Sequence, residues 1–492
     1  MNLIDAFFEQ VAAFPDKEML IEDDKRLTYR QLAQAVAALG SFVDAGDLSE
    51  SGNVGLYLPN SSAYIIGYLA ILQANRTVVP LNCLLKPPEL ACQARNAEIS
   101  CVLTTRHFSE GMADIERFLG KTLAVIYFED FMAALQGGLF TPGHSMTRSR
   151  KDLACLLYTS GTISEPKGVM LTHHNLFSNV ASTREWIGVV HEHIFLCALP
   201  LFHAFGMTTA FLLPILSGAR VILVQRFSPE KVIDLLAREQ VTVLFLVPSW
   251  YYLIAEHARK HKVDLSFLEV CISGGGPLPP DLEQAFGNLT GKPLLNGYGL
   301  TEASPVVSTN RPADAKMGTI GKAIPNVEVQ VWGESDTRLG SDVIGELMIK
   351  GPNVMAGYFK MPEKTREIIH PDGWLYSGDM GFIDKEGYIH ITGRKKEMIC
   401  TGGKNVFPNE VEGILIRHPA VREAAVVGVP DPARGESVIS YICLNENMSV
   451  SEKELRAHCL QWLANFKVPR KFTVIEELPK NFLGKVQKFR LK

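Results

Sequence analysis

At 492 residues and a formal charge of −4, the chain offers no electrostatic reason to bind nucleic acid or an anionic membrane. Hydrophobic content of 47% with 21% charged residues fits a soluble globular chain with a large core, in one large unit plus a small one or in roughly three domains. The nine cysteines (Cys83, Cys92, Cys101, Cys155, Cys197, Cys271, Cys400, Cys443 and Cys459) are scattered and form no C-x-x-C pair, which argues against a disulfide framework or zinc site and for reduced thiols in a cytoplasm.

The opening MNLIDAFFEQVAAFPDK carries acidic residues and no basic stretch ahead of an apolar run, so no secretory signal is expected. After the apolar run LACLL, residues 158–169 read YTSGTISEPKGV. Hydroxyls, glycines and a lysine delivered by a strand suit phosphate, because backbone N–H groups and side-chain hydroxyls surround oxygens while lysine offsets charge. Gly161 and Lys167 do not fit the common G-x-x-x-x-G-K-[ST] loop, and alone the stretch reads equally as a polar surface turn. The most apolar long stretch, 205–224, is interrupted by Pro214 and Arg220, which predicts a buried core segment rather than a membrane helix and leaves peripheral membrane contact open.

From 219 to 296 the short apolar runs RVILV, VTVLFLV and LEVCIS read as strands. Helical segments lie between them: one starts at Ser228-Pro229-Glu230, one spans 249–260, and one follows Pro279-Pro280. This alternation predicts a mostly parallel sheet covered on both faces, with ligands beyond the carboxyl ends of its strands. The loops 159–168 and Ser273-Gly274-Gly275-Gly276 occupy such ends. Residues 318–392 turn to short strands with turns (VEVQVW, GELMIKG, YIHITG) and predict a β-rich subdomain. Beyond the basic Arg394-Lys395-Lys396, a helix at 408–417, the strand EAAVVGV and a helix at 450–464 predict an α+β domain.

Five further segments accompany the loop: PLFHAFG (200–206), NGYGLTE (296–302), YSGD (376–379), GRKKEMICTGGKNVFPNEVE (393–412) and LPKNFLGK (478–485). In this order they resemble the adenylate-forming superfamily of acyl-CoA synthetases, luciferases and peptide-synthetase adenylation domains. The resemblance runs from PDKEML near the start to Lys485. It implies an α/β fold: a large N-terminal domain of doubly wound sheets (1–394, with the β-rich subdomain), a hinge at 395–397, and a small mobile α+β domain (398–492). It also implies a reaction in which a carboxylate is joined to the α-phosphate of ATP, pyrophosphate leaves, and a thiol attacks the acyl-adenylate. Such chemistry needs cations and positioned donors around the phosphoryl centre.

By that resemblance Thr159, Ser160, Gly161, Thr162 and Lys167 hold the β- and γ-phosphates. Gly274, Gly275 and Gly276 run along the adenine and Tyr298 stacks on it, with Asn296, Gly297 and Gly299 assigned to ATP beside it. Thr301 binds the α-phosphate, and Glu302 holds Mg²⁺ as a hard oxygen ligand. Asp379 accepts the ribose hydroxyls, though SGD alone reads as a turn. Arg394 lies near ribose and phosphates, Lys396 is the hinge, and Lys485 bridges the substrate carboxylate and the α-phosphate. Gly402 and Gly403 let backbone approach the pantetheine arm of CoA, with Lys404, Lys467 or Arg470 near its phosphates. His203 stands at the mouth of the acyl site; a lone histidine is more often structural. Lys488 and Lys492 read as surface lysines of a basic tail.

Two departures stand out. The superfamily loop has Thr-Gly where this chain has Ile163-Ser164, which removes a hydroxyl and stiffens the loop. The tail GKVQKFRLK lacks the two arginines that many relatives carry after the lysine. Residues 199–225 contain no Asp or Glu to pair with an α-ammonium, which disfavours amino acids as substrates. The stretches 203–212, 247–252 and 297–307 are rich in Phe, Met, Val, Tyr and small residues, as an apolar acyl tail requires. GRKKEMI and NVFPNEVE resemble most closely bacterial medium- or long-chain fatty acyl-CoA synthetases. The expected partners are therefore a carboxylic acid, ATP and CoA, acting on a monomer or homodimer. The alternatives are an aryl-acid CoA ligase, an acyl-AMP ligase loading a carrier protein, and a catalytically silent nucleotide-binding regulator.

Overall fold

The computed structural model describes residues 1–44, 52–136, 149–158, 166–480, 484 and 486–491. Contacts group the chain into two units, Met1–Glu328 with Ile349–Leu375, and Val329–Met348 with Tyr376–Lys492.

Two sheets build the first unit. The nine-stranded one runs from Lys322–Ala323 through Val306–Thr309, Leu294–Gly299, Val270–Ser273, Val243–Leu246, Ile194–Cys197, Arg220–Leu223 and Glu18–Glu22 to Lys25–Thr28. Its middle is parallel, and both edges are antiparallel. The seven-stranded sheet runs Gly357–Tyr358, Gly168–Thr172, Leu153–Tyr158, Thr77–Pro80, Asn53–Leu56, Cys101–Thr104 and Ala124–Tyr127. It too is parallel except where Gly168–Thr172 runs against both neighbours. Strands such as VLFL and TVVP are buried at every position, the signature of a sheet covered on both faces.

The helices start and stop where local chemistry dictates. Pro229–Arg238, Pro248–His261 and Pro280–Thr290 each open on proline, which lacks an N–H that the first turn leaves unpaired anyway. Gly291 closes the last of them at φ 71°. The stretch 205–224 is core as its composition predicts: Gly206–Leu212 is π-helical and wholly buried, and Arg220–Leu223 is a strand. Among the described residues no helix is long and apolar enough to cross a membrane. All nine cysteines are free.

The second unit holds a four-stranded sheet, Glu328–Trp332, Gly345–Lys350, Leu375–Ile383 and Ile389–Arg394. It also holds a five-stranded sheet of Lys404–Val406, Ile399–Thr401, Gly435–Leu444, Val421–Asp431 and Lys471–Val474. Helices Pro408–Ile416 and Glu452–Trp462 pack Val411, Leu415, Leu455 and Cys459 onto its Val426, Val438 and Ile442. Lys488 corrects the reading of the tail: it is no surface lysine. Its side chain is 15% exposed and pairs with Glu412 at 2.7 Å and Glu397 at 3.2 Å. Lys488 is thus packed between two carboxylates, Glu412 largely buried and Glu397 partly exposed.

Candidate active site

In the first unit, two close approaches at glycines set the geometry. The strand Val270–Ser273 runs into Gly274, where a Cβ would sit 2.9 Å from the Phe205 ring. Gly275 follows at φ +78°. Along the neighbouring strand, Tyr298 lies opposite Ser308, and a Cβ on Gly299 would meet the Pro305 carbonyl at 2.2 Å. Only glycine fits at such a contact.

That approach folds residues 300–306 into a tight turn. Leu300 N–H donates to the Pro305 carbonyl at 3.1 Å, and Thr301–Ala303 form a single 3₁₀ turn. Buried amides hold it in place. Asn179 Nδ2 donates to the Val306 carbonyl at 2.6 Å while its Oδ1 accepts from Val306 N–H at 3.2 Å. Asn353 Nδ2 donates to the Ala303 carbonyl at 2.9 Å, and Ser304 Oγ donates back to the Asn353 carbonyl at 2.7 Å. Thr208, within the π-helical segment, donates to the Ser304 carbonyl at 3.0 Å. Thr301 and Glu302 are thus fixed by their surroundings and half-buried.

Residues 353–359 join this turn to the strand Gly168–Thr172. Met355 N–H donates to the Glu302 carbonyl at 2.9 Å, and Phe359 N–H donates to the Gly168 carbonyl at 2.8 Å. Between them Tyr358 pairs with Val169. The Tyr358 hydroxyl donates to Glu302 Oε1 at 2.8 Å, and Lys167 Nζ lies 5.4 Å from the centre of the Tyr358 ring. Burial first, and the Glu302 carboxylate second, hold the phenol well above its ordinary pKa, so it stays a protonated donor. Among the described residues no group of three or more His, Cys, Asp or Glu forms a metal cage. A single carboxylate is what Mg²⁺ commonly takes from a protein when phosphates supply other ligands, so Glu302 fits that ion.

His203 is half-buried at the start of the π-helical region, its Nδ1 accepting from Phe205 N–H at 3.3 Å. Phe205 rests edge-on against Phe245, with centroids 6.2 Å apart. The predicted Thr159, Ser160, Gly161 and Thr162, with Ile163 and Ser164, lie outside the described residues, as does Lys485.

In the second unit, Asp379 and Arg394 face each other across the antiparallel strands Leu375–Ile383 and Ile389–Arg394. Arg394 Nε meets Asp379 Oδ1 at 2.9 Å; the carboxylate is buried and the guanidinium half-exposed. Glu346 holds the preceding turn, accepting from Gly378 N–H at 3.1 Å and pairing with Lys395 Nζ at 2.6 Å. Gly378 takes φ +72° there. Gly402 and Gly403 are the two-residue turn of a hairpin, both at positive φ (57° and 73°), as this hairpin turn type demands. Lys404 Nζ lies 4.6 Å from the centre of the Phe466 ring. Lys467 pairs with Glu410 at 2.6 Å, and Lys396 is exposed.

The sequence reading missed Tyr358, Glu346, Asn179 and Asn353. Glu346 left one signal, a lone carboxylate directly before the apolar run Leu347-Met348-Ile349. The asparagines left none, because their partners are backbone groups more than 40 residues away.

A sequence profile for AMP-binding enzymes matches residues 7–359, and one for the AMP-binding enzyme C-terminal domain matches 410–485. The chain is 32% identical to a long-chain-fatty-acid–CoA ligase of Bacillus subtilis (strain 168), over 98% of this chain and 92% of that protein. It is 35% identical to a feruloyl-CoA synthase of Amycolatopsis sp, over 94% and 92% respectively. Among solved structures, ATP-bound MatB from Rhodopseudomonas palustris matches with a TM-score of 0.91 at 31% identity, over 100% of this chain and 98% of that one.

Proposed function

The chain belongs to the AMP-binding enzyme family and is an AMP-forming acid–CoA ligase, and from that premise we propose that its acid is a medium- or long-chain fatty acid. The observation that carries this is the segment Gly206–Leu212, buried at every residue, within a stretch 199–225 that contains no Asp or Glu. An α-ammonium placed there would be desolvated without a counter-charge, which is costly. A second anionic group fares no better, since the only Lys or Arg in that stretch, Arg220, lies 3.7 Å from Glu18.

In this reading Thr159, Ser160, Gly161, Thr162 and Lys167 grip the β- and γ-phosphates, and Gly274–Gly276 with Tyr298 take the adenine. Asp379 takes the ribose hydroxyls with Arg394 beside it. Mg²⁺ held by Glu302 would screen the negative charge of the triphosphate. Thr301 and Lys485 orient the α-phosphate, the acid's carboxylate oxygen attacks its phosphorus, and the bond to pyrophosphate breaks. The CoA thiol, guided past Gly402 and Gly403, then attacks the acyl carbon, and AMP leaves. Lys396 is the hinge between the two half-reactions. The fixed turn around Thr301 and the Asp379–Arg394 pair support these roles.

Pyrophosphate exchange over saturated acids of graded length, aryl acids and dicarboxylic acids, with the CoA thioester detected directly, tests the proposal. The highest kcat/KM is expected for a medium- or long-chain acid, and a maximum at an aryl acid overturns it. That second reading is favoured by the 35% identity to a feruloyl-CoA synthase. Acyl-AMP without CoA-dependent release would instead point to a carrier protein as the thiol.

A further inference from the structure

Tyr358 touches two of the residues assigned to the triphosphate, and touches them through different parts of its side chain. The hydroxyl donates to Glu302 Oε1 at 2.8 Å, while the ring lies 5.4 Å from Lys167 Nζ. The residue is 7% exposed, so neither contact is a loose surface encounter. Its backbone is tied down as well: Tyr358 N–H donates to Thr365 Oγ1 at 2.9 Å, and its neighbour Phe359 is bonded to Gly168.

A lysine and a carboxylate that serve the same triphosphate have a problem when no nucleotide is present. Opposite charges attract strongly where water is partly excluded. A direct Lys167–Glu302 ion pair would have to be broken each time ATP bound, and apparent affinity would fall by the fraction of chains left competent. We infer that Tyr358 is a positioning residue that keeps Lys167 and Glu302 from pairing with each other, holding the ammonium on its ring and the carboxylate on its hydroxyl. A phenol suits this task. Its face attracts a cation without neutralising it, and its O–H satisfies a carboxylate without cancelling the charge. A leucine could do neither, and a phenylalanine only the first. The inference rests on the reading of Lys167 and Glu302 as triphosphate residues.

The test is ATP binding to the full chain by calorimetry in a chelator, followed by Mg²⁺ titration, with the melting temperature of each variant as the folding control. Tyr358→Leu is expected to weaken metal-free ATP binding about tenfold, the factor reached when nine-tenths of the chains hold the collapsed pair. In a Glu302→Gln background the same change is expected to do little, because no carboxylate remains for Lys167 to pair with. Tyr358→Phe keeps the ring and is expected to hold metal-free affinity while raising the Mg²⁺ midpoint about tenfold, as loss of a ligand's supporting hydrogen bond does. An equal drop for Tyr358→Leu in both backgrounds overturns the inference and makes the residue a packing element. If Tyr358→Leu does not fold, Tyr358→Phe decides, and an unmoved Mg²⁺ midpoint overturns the inference. A wild-type chain that binds no ATP overturns the proposed function and this inference together; a wild-type chain that binds, beside variants that bind equally, overturns this inference alone.

Discussion

Single side chains carry the most specific chemistry here, and position 163 shows how small the difference from relatives is. Isoleucine has no hydroxyl to offer phosphate, and Ser164 carries a Cβ where the superfamily has glycine. Both residues lie outside the described residues. Restoring both, Ile163→Thr with Ser164→Gly, is expected to lower the KM for ATP severalfold, about the net worth of one ordinary hydrogen bond. Steady-state kinetics at saturating acid would show it, and an unchanged KM and kcat would sink the idea. Asp379 illustrates the opposite case. SGD reads as an ordinary turn in sequence, yet the carboxylate is 3% exposed and paired with Arg394.

Elements are held by groups far away in sequence, and this is where most of the site was illegible. Strands, helix starts at Pro229, Pro248 and Pro280, and the buried 205–224 stretch follow from local patterns of apolar residues and proline. The turn at 300–306 does not, because its support comes from Asn179 and Asn353 through backbone carbonyls that every residue possesses. Asn179→Ala would strip the partner from Val306 N–H in a buried place, at a cost of about 1–3 kcal/mol. Denaturant unfolding should report that loss, and a fall in adenylation beyond the stability effect should accompany it, since Thr301 and Glu302 sit on the turn. The cluster of Lys488 with Glu412 and Glu397 makes a pH-dependent prediction. Burial, the largest cause, raises the pKa of Glu412 above the usual carboxylate value, and Lys488 opposes the rise. A group with a raised folded pKa contributes stability that is present below its unfolded pKa and lost as pH climbs through the folded one. Lys488→Met removes the opposing charge, so it should change stability little at about pH 4 and cost about 3–5 kcal/mol near pH 8. Urea unfolding across that range checks it; a pH-independent loss would show that packing, not charge, is what Lys488 supplies.

At the scale of the molecule, the proposed roles divide between the two half-reactions: Lys485 serves adenylation, and Gly402 with Gly403 serves thioester formation. The two half-reactions should therefore be separable by mutation. Lys485→Ala is expected to slow acyl-AMP formation about 10²–10³-fold and to spare thioester formation from preformed acyl-AMP. Equal loss of both steps would count against its role. The α/β class and the small C-terminal sheet were readable because strand–helix alternation and motif order are local. Grouping of residues 329–348 with the C-terminal part was not, since strand pairing across 30 residues leaves no mark in a linear pattern. Residues 353–359 carry one more consequence, for how such a chain can change over time or in the laboratory. Bonded to Ala303 and Glu302 at one end and to Gly168 at the other, the segment works as a ruler of set length. Substitutions at its outward positions should be tolerated, but a one-residue insertion or deletion would shift one anchor relative to the other. Libraries aimed at new acids should therefore leave the length of 353–359 alone and, within 205–212, keep Gly206, where a Cβ would meet the Pro200 carbonyl at 2.4 Å, and Thr208, which holds the Ser304 carbonyl.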